Sequence, residues 1–358
     1  MARYGIVLIF LLALLFRAYD LVSVPVWMWD EGANINYASN LAEGRAQLFG
    51  FKYHFIPHPP LYFLFLIPFL KAMGPGILAL RVASVVLSMS GLLLVYLIIR
   101  NVLGESWALL GGLFYALMPE LVFWGRLGFA NNLLAVLAVA SVYLIQKHFS
   151  SGEDRFMYYA SLTAGVCLLT EYGGIVFVLS LLVIVYWYAR RLLSKTLILS
   201  LGPFMVFVLL MLASDFHGFT TDFLKFFRLY FLAIPAIMVT AILFHRFSDR
   251  LLGYTNSLYY GIGETPAEFV LFLLISLFSL LPLDYTVFLS GSYVSALLAF
   301  SFFSLFFIQE GRFRNTLMLY SFSYLLLLFS LNRWDHMGIP LPYLLSCSSV
   351  FFIKKAGQ

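Results

Sequence analysis

Charge is what this chain has least of. Only 11% of its 358 residues are Asp, Glu, Lys or Arg, while 62% are hydrophobic. A soluble domain carries roughly 25% charged residues, so a soluble globular protein is excluded. Strict period-two alternation is missing as well, which excludes a β-barrel. Cysteine is nearly absent: Cys167 and Cys347 are the two present, both inside apolar runs, so no disulfide framework is expected. No small-x-small cleavage pattern follows the apolar run at 4–16, and the run reads as an uncleaved first helix. There are no low-complexity tracts and no internal repeat. The net charge of +5 comes from basic residues scattered at the ends of apolar runs, which does not suggest nucleic acid.

What remains is length after length of apolar sequence. Runs of about 17 to 25 residues, enough to cross a hydrocarbon core, recur from end to end. The expected fold is an all-α polytopic membrane protein. Its spans fall near 4–22, 81–99, 107–124, 129–146, 157–171, 174–190, 196–213, 226–244, 267–283, 292–308, 316–331 and 338–353. The 38 Phe and 22 Tyr fit lipid contact and interfacial belts. Segment 59–73 is apolar but short and contains Pro68. If it lies in the interface or re-enters, most basic residues, from Arg3 and Arg100 to Lys354 and Lys355, share one side. Positive-inside bias favours that arrangement. About twelve spans then result, with both termini cytoplasmic in a multi-pass protein of the cell membrane.

This topology gathers the remaining polar residues at the extracytoplasmic ends: Asp30, Glu31, His54, His58, Arg81, Arg126, Asn131, Glu171, His217, Lys225, Arg228, Arg333 and His336. The long excursion 23–80 mixes Ala33, Ile35, Tyr37, Ala38 and Leu41 with Asn34, Asn36, Asn40 and Glu43, as suits helices lying in the interface plane. Carboxylates beside a bilayer are costly, so the adjacent pair Asp30-Glu31 marks a candidate site. The plain alternative is that one of the pair caps a helix starting near Gly32. Arg81 and Arg333 have a plain alternative too, as arginines that snorkel to the interface. Lys225 and Arg228 suit a lipid phosphate or an anchor equally. Ser84, Ser88 and Gly91 read as a small-residue packing stripe.

The order of these features resembles the GT-C superfamily of membrane glycosyltransferases, in the branch of protein O-mannosyltransferases and lipid A aminoarabinose transferases. The resemblance rests on Trp29-Asp30-Glu31 after the first helix, then His58-Pro59-Pro60-Leu61, then Arg81-Val-Ala-Ser opening a span that closes with Ile99-Arg100-Asn-Val-Leu-Gly. Ala116-Leu-Met-Pro119 … Trp124-Gly-Arg126 follows, and Asn332-Arg333-Trp334-Asp335-His336 … Pro340-Leu-Pro342 echoes the family near the C-terminus. The resemblance implies a catalytic module over 1–190, with C-terminal helices over 191–358 completing the lipid-carrier and acceptor site. It implies inverting transfer of a sugar from a dolichyl or undecaprenyl phosphate to an acceptor hydroxyl on the extracytoplasmic face. Asp30 matches the general base, with Glu31 orienting the acceptor or raising its neighbour's pKa. His58, Arg81, Arg126, Arg333, Lys225 and Arg228 are the expected phosphate or donor ligands. His54, Asn131, Glu171, Tyr172 and His336 are expected to line the acceptor side.

Two positions depart from the family pattern. Many relatives carry an acidic residue where this chain has Asn131-Asn132, and many read Thr-Lys-Tyr where it has Thr170-Glu171-Tyr172. The second change reverses a charge and points away from a negatively charged donor sugar. Some relatives bind a divalent metal and others need none; Asp30, Glu31 and His217 are the candidate ligands here, and no cofactor is required by the reading. The competing reading is a transporter or flippase of a lipid-linked saccharide. It would place broken helices in two related halves with charges near mid-membrane, whereas here the polar residues collect at one face. The acceptor, whether lipid, saccharide or protein, stays open.

Overall fold

A computed structural model describes residues 2–46, 59–214, 216, 220, 301, 304, 305, 308–331 and 339–351. Among the described residues there is no strand. Among the described residues, three helical stretches, Ile77–Leu103, Ala130–Ser151 and Arg190–Ala213, are long and apolar enough to cross a membrane. Of the expected spans, 226–244 and 267–283 lie outside the described residues, and only isolated positions of 292–308 are within them.

Helix α1 (Ala2–Ala18) is followed by Asp20, whose φ of +41° turns the chain; an Asp accepts that conformation at little cost. Helix α2 (Trp29–Ala42) starts behind an extended Met28, and α3 (Leu61–Met73) starts behind Pro60, where a missing N–H is harmless. At about 1.5 Å per residue, α3 is roughly 20 Å long, too short for a core of about 30 Å. Its Tyr62, Phe63, Leu66 and Leu70 are buried, and it packs on α2 and on α4 (Ile77–Leu103).

The expected span 107–124 is two helices, α5 (Glu105–Leu117) and α6 (Pro119–Trp124). The reason is Pro119, which has no N–H to give and pushes Met118 out of helical geometry to ψ 118°. Then come α7 (Ala130–Ser151), α8 (Asp154–Thr170), a 3-10 turn over Tyr172–Gly174, α9 (Ile175–Tyr188) and α10 (Leu193–Ser214). Helix α7 stops at Gly152, a left-handed residue whose N–H closes on the His148 carbonyl at 2.8 Å. Beyond these lie α11 (Gly311–Leu331) and α12 (Pro340–Ser346). The last is shorter than the expected 338–353 and gives way to turns over 347–350.

Helix α1 lies on α4 and α5, α4 on α7, α7 on α8, and α8 on α10; α11 covers α9, and α12 rests on α7. Small residues permit the closest approaches. A Cβ on Gly165 would come within 2.4 Å of the Ser200 carbonyl oxygen, and one on Gly91 within 2.5 Å of the Tyr115 hydroxyl. The stripe Ser84, Ser88 and Gly91 is therefore a packing seam, as its composition suggests.

Two ends of the bundle are chemically distinct. At one, Lys147 meets Asn101 at 3.5 Å, Arg191 pairs with Asp154 at 2.7 Å, and Asn315 donates to the Tyr188 hydroxyl at 2.7 Å. At the other, Arg81 near the start of α4 donates to carbonyls of Leu21 and Pro25 just beyond α1. The chain between α1 and α4 thus leaves and returns at the same end. That is the outcome expected if 59–73 does not cross.

Candidate functional site

The first turn of α2 carries the acidic pair at consecutive positions, roughly 100° apart around the helix axis. One faces in and the other out: Glu31 is fully buried, whereas Asp30 is exposed. Arg81, also fully buried, grips Glu31 with both edges of its guanidinium, Nε to Oε1 at 2.9 Å and a terminal nitrogen to Oε2 at 2.7 Å. The Gly128 N–H donates to Oε1 at 3.0 Å and the Met28 N–H to Oε2 at 3.2 Å. An ionised carboxylate has about four lone-pair sites, and these four donors fill them. Glu31 thus caps the first turn of α2, anchors it to α4, and holds the chain between α6 and α7. As arranged, it has no lone pair left for a substrate proton or a cation.

Arg81 is equally occupied. Besides Glu31, its other terminal nitrogen donates to Leu21 and Pro25 carbonyls at 3.0 and 2.9 Å, with Val22 at 3.4 Å. Arg126, nearly buried, donates to the carbonyls of Phe16 at 3.0 Å, Asp20 at 3.1 Å and Val24 at 2.6 Å, and to that of Tyr19. Arg17 is a third buried arginine, not among the residues singled out from sequence. It donates to Ser88 Oγ at 2.7 Å and to the carbonyls of Tyr115 and Ala116 at 3.1 Å each, with its guanidinium 5.3 Å from the Tyr115 ring centre. A lone cation inside an apolar run was the available signal. Arg81 and Arg126 satisfy carbonyls at the end of α1 and in the turn after it, and Arg17 satisfies carbonyls in the last turn of α5. Arg81 and Arg126, expected as phosphate ligands, are turned onto backbone and Glu31.

Other positions are brought together less directly. Asn34 of α2 donates to the Gly128 carbonyl at 2.8 Å, so both backbone groups of Gly128 serve α2. Neither Gly128 nor Asn34 stands out in the sequence, because each acts through a backbone contact. Asn131 is buried, and Asn132 beside it donates to the carbonyls of Trp124 and Leu127 at 2.9 and 2.8 Å. Glu171 is buried at the end of α8, and Tyr172 is fully buried in the turn that follows, under α11. Their placement is that of core-facing residues at the mouth of α8 and α9. Burial raises the pKa of the Tyr37 hydroxyl on α2. His54, His58, His217, Lys225, Arg228, Arg333 and His336 lie outside the described residues. Among the described residues, no group of three or more His, Cys, Asp or Glu side chains is placed to hold a metal ion.

The model for the family described as dolichyl-phosphate-mannose-protein mannosyltransferase matches residues 57–214. Among solved structures, an oligosaccharyltransferase from Archaeoglobus fulgidus, in complex with zinc and sulfate, superposes with a TM-score of 0.56 at 16% identity over 98% of this chain. ArnT from Cupriavidus metallidurans, bound to undecaprenyl phosphate, superposes with a TM-score of 0.53 at 13% identity, again over 98% of this chain. Both neighbours belong to the GT-C superfamily. This is a GT-C fold. The chain spans 50% of the oligosaccharyltransferase chain and 77% of the ArnT chain. No curated protein matches the sequence. The family match covers α3 through α10, and α1 and α2 precede it.

Proposed function

We propose that this protein transfers a sugar from a polyprenyl phosphate carrier to an acceptor hydroxyl at the end of the bundle that carries α2, with inversion and with Asp30 as the general base. The observation that carries the reading is the division of labour within the acidic pair. Glu31 is consumed by Arg81, Gly128 and Met28, while Asp30, one residue earlier, is held on the exposed side of the same turn. A base must be rigidly placed yet reachable, and the buried ion pair supplies the rigidity.

In this reading the Asp30 carboxylate accepts the acceptor's hydroxyl proton as that oxygen attacks the anomeric carbon. The carbon–oxygen bond to the carrier breaks on the opposite side, and polyprenyl phosphate leaves with the bonding pair. Its charge requires cations. Arg81 and Arg126 are engaged elsewhere, so the phosphate falls to His58, Lys225, Arg228 and Arg333. The undecaprenyl phosphate held by ArnT supports a carrier of this kind. About twelve spans, cytoplasmic termini and an extracytoplasmic site complete the proposal. The second half, 191–358, contributes the carrier groove.

The test uses purified protein in detergent, with binding of undecaprenyl phosphate sugars followed by native mass spectrometry and released undecaprenyl phosphate quantified with acceptor present. Asp30→Asn should bind donor as wild type does and lose about 10²- to 10⁴-fold in turnover. If wild type binds no polyprenyl phosphate sugar, the substrate class is wrong; if it binds one and releases no carrier with acceptor present, a transporter of lipid-linked saccharide becomes the better reading.

A further inference from the structure

The segment between α6 and α7, residues 125–129, holds the start of α2, and it is itself held from behind. Gly128 gives its N–H to Glu31 and its carbonyl to Asn34. The Gly128 N–H shares a planar trans peptide with the Leu127 carbonyl, so fixing one end of that unit aims the other. The Leu127 carbonyl accepts from Asn132 Nδ2 at 2.8 Å, and the same amide nitrogen donates to the Trp124 carbonyl at 2.9 Å. Asn132 is fully buried. Its own Oδ1 accepts from the hydroxyl of Tyr343 on α12 at 3.3 Å. That bond keeps the amide oxygen toward α12 and the amide nitrogen toward the loop.

Tyr343 is in turn clamped. Its ring stands edge-on to Tyr115 at 5.6 Å, and Tyr115 donates to the Ser88 carbonyl at 2.8 Å. Any residue larger than glycine at 128 must displace Leu80, because a Cβ there would lie 2.2 Å from Leu80 Cγ, next to Arg81. A buried chain of contacts thus runs from α12 through Asn132 to the peptide that faces Glu31. We infer that Tyr343 and Asn132 are positioning residues: α12, through them, sets the Leu127–Gly128 peptide that fixes Glu31 and hence the placement of Asp30. The kinetic consequence rests on the glycosyltransferase reading; the structural one does not.

Hydrogen exchange of the peptide covering 124–131, followed by mass spectrometry on full-length protein in nanodiscs, reads the chain without requiring turnover. Wild type is compared with Tyr343→Phe, Asn132→Ala and the control Ser161→Ala, which removes a buried hydroxyl bonded only within α8. Exchange in 124–131 should rise about five- to tenfold in Tyr343→Phe and more in Asn132→Ala, with the control unchanged. In the turnover assay Tyr343→Phe should lower kcat with KM for the donor unchanged. Should Asn132→Ala fail to fold, Tyr343→Phe alone decides. Wild-type exchange in Tyr343→Phe, or a lowered Tm with unaltered kcat, overturns the inference. If exchange responds but wild type never turns over a carrier-linked sugar, the positioning chain stands and the glycosyltransferase reading falls.

Discussion

Two neighbouring carboxylates, chemically almost alike, are given opposite environments by a helix turn, and that difference can be measured. Glu31→Ala removes the counter-charge of a fully buried Arg81 and the acceptor of two backbone N–H groups at once. Stranding a buried charge in this way costs about 3–5 kcal/mol, so the thermal midpoint of the purified protein should fall by many degrees. Asp30→Asn changes an exposed group and should cost less stability than Glu31→Ala while lowering turnover by about 10²- to 10⁴-fold. A similar loss of stability in both variants would remove the distinction between positioning residue and base. Arg81→Lys keeps the charge but not the two-edged grip on Glu31 or the reach to Leu21 and Pro25; it should behave more like Glu31→Ala than a conservative change usually does. The presence of the pair is legible in the sequence, because two acids beside an apolar run are conspicuous. Which of them turns inward is not legible, because that depends on Gly128 arriving from a segment almost a hundred residues away.

At the level of elements, the sequence announces helices well and their joints poorly. Apolar runs mark α1, α4, α7 and α10 because a bilayer demands uninterrupted apolar length. Pro119 gives a local reason for the break between α5 and α6, yet composition alone reads straight across it. Joints built on close backbone approach leave still less trace, and Gly128 is the sharpest case. Gly128→Ala must displace Leu80, a side chain locked in the core beside Arg81. We expect a loss of about 1–3 kcal/mol and a fall in turnover, read by thermal unfolding and by the carrier-release assay. Gly32→Ala offers a contrast on the other side of α2. Its Cβ would come within 2.5 Å of the Trp27 ring, but Trp27 is half-exposed and can swing away. That variant should shift tryptophan fluorescence with little change in unfolding temperature. A cost equal to that of Gly128→Ala would mean that Trp27 is fixed in the site wall rather than resting on it.

On the scale of the whole molecule, most cations among the described residues are used in two different ways at the two ends of the bundle, buried Arg314 being the exception. Arg17, Arg81 and Arg126 are buried at one end and spend their donors on carbonyls and Glu31. At the other, Arg100, Arg155, Arg190 and Lys195 are exposed and lie against the rings of Tyr96, Phe156, Tyr186 and Tyr158. The second pattern is the one positive-inside bias selects, since exposed cations resist crossing the membrane. The first has no such reason to face the cytoplasm, because its charges are already neutralised or hydrogen-bonded inside the protein. The sequence alone could weigh the two topologies only by counting cations; the contacts separate the cations by what each one does. From this follows a sidedness experiment that needs no substrate. Cys167 and Cys347 are buried and give little background to a membrane-impermeant maleimide. A cysteine placed at exposed Ser23, beside the acidic pair, should be labelled in intact cells, and one at exposed Ser151 only after permeabilisation. Labelling of Ser23→Cys and Ser151→Cys from the same side would mean that the two ends do not face opposite compartments. The placing of an active site on the outer face would then have to be given up, whatever the fate of the chemistry.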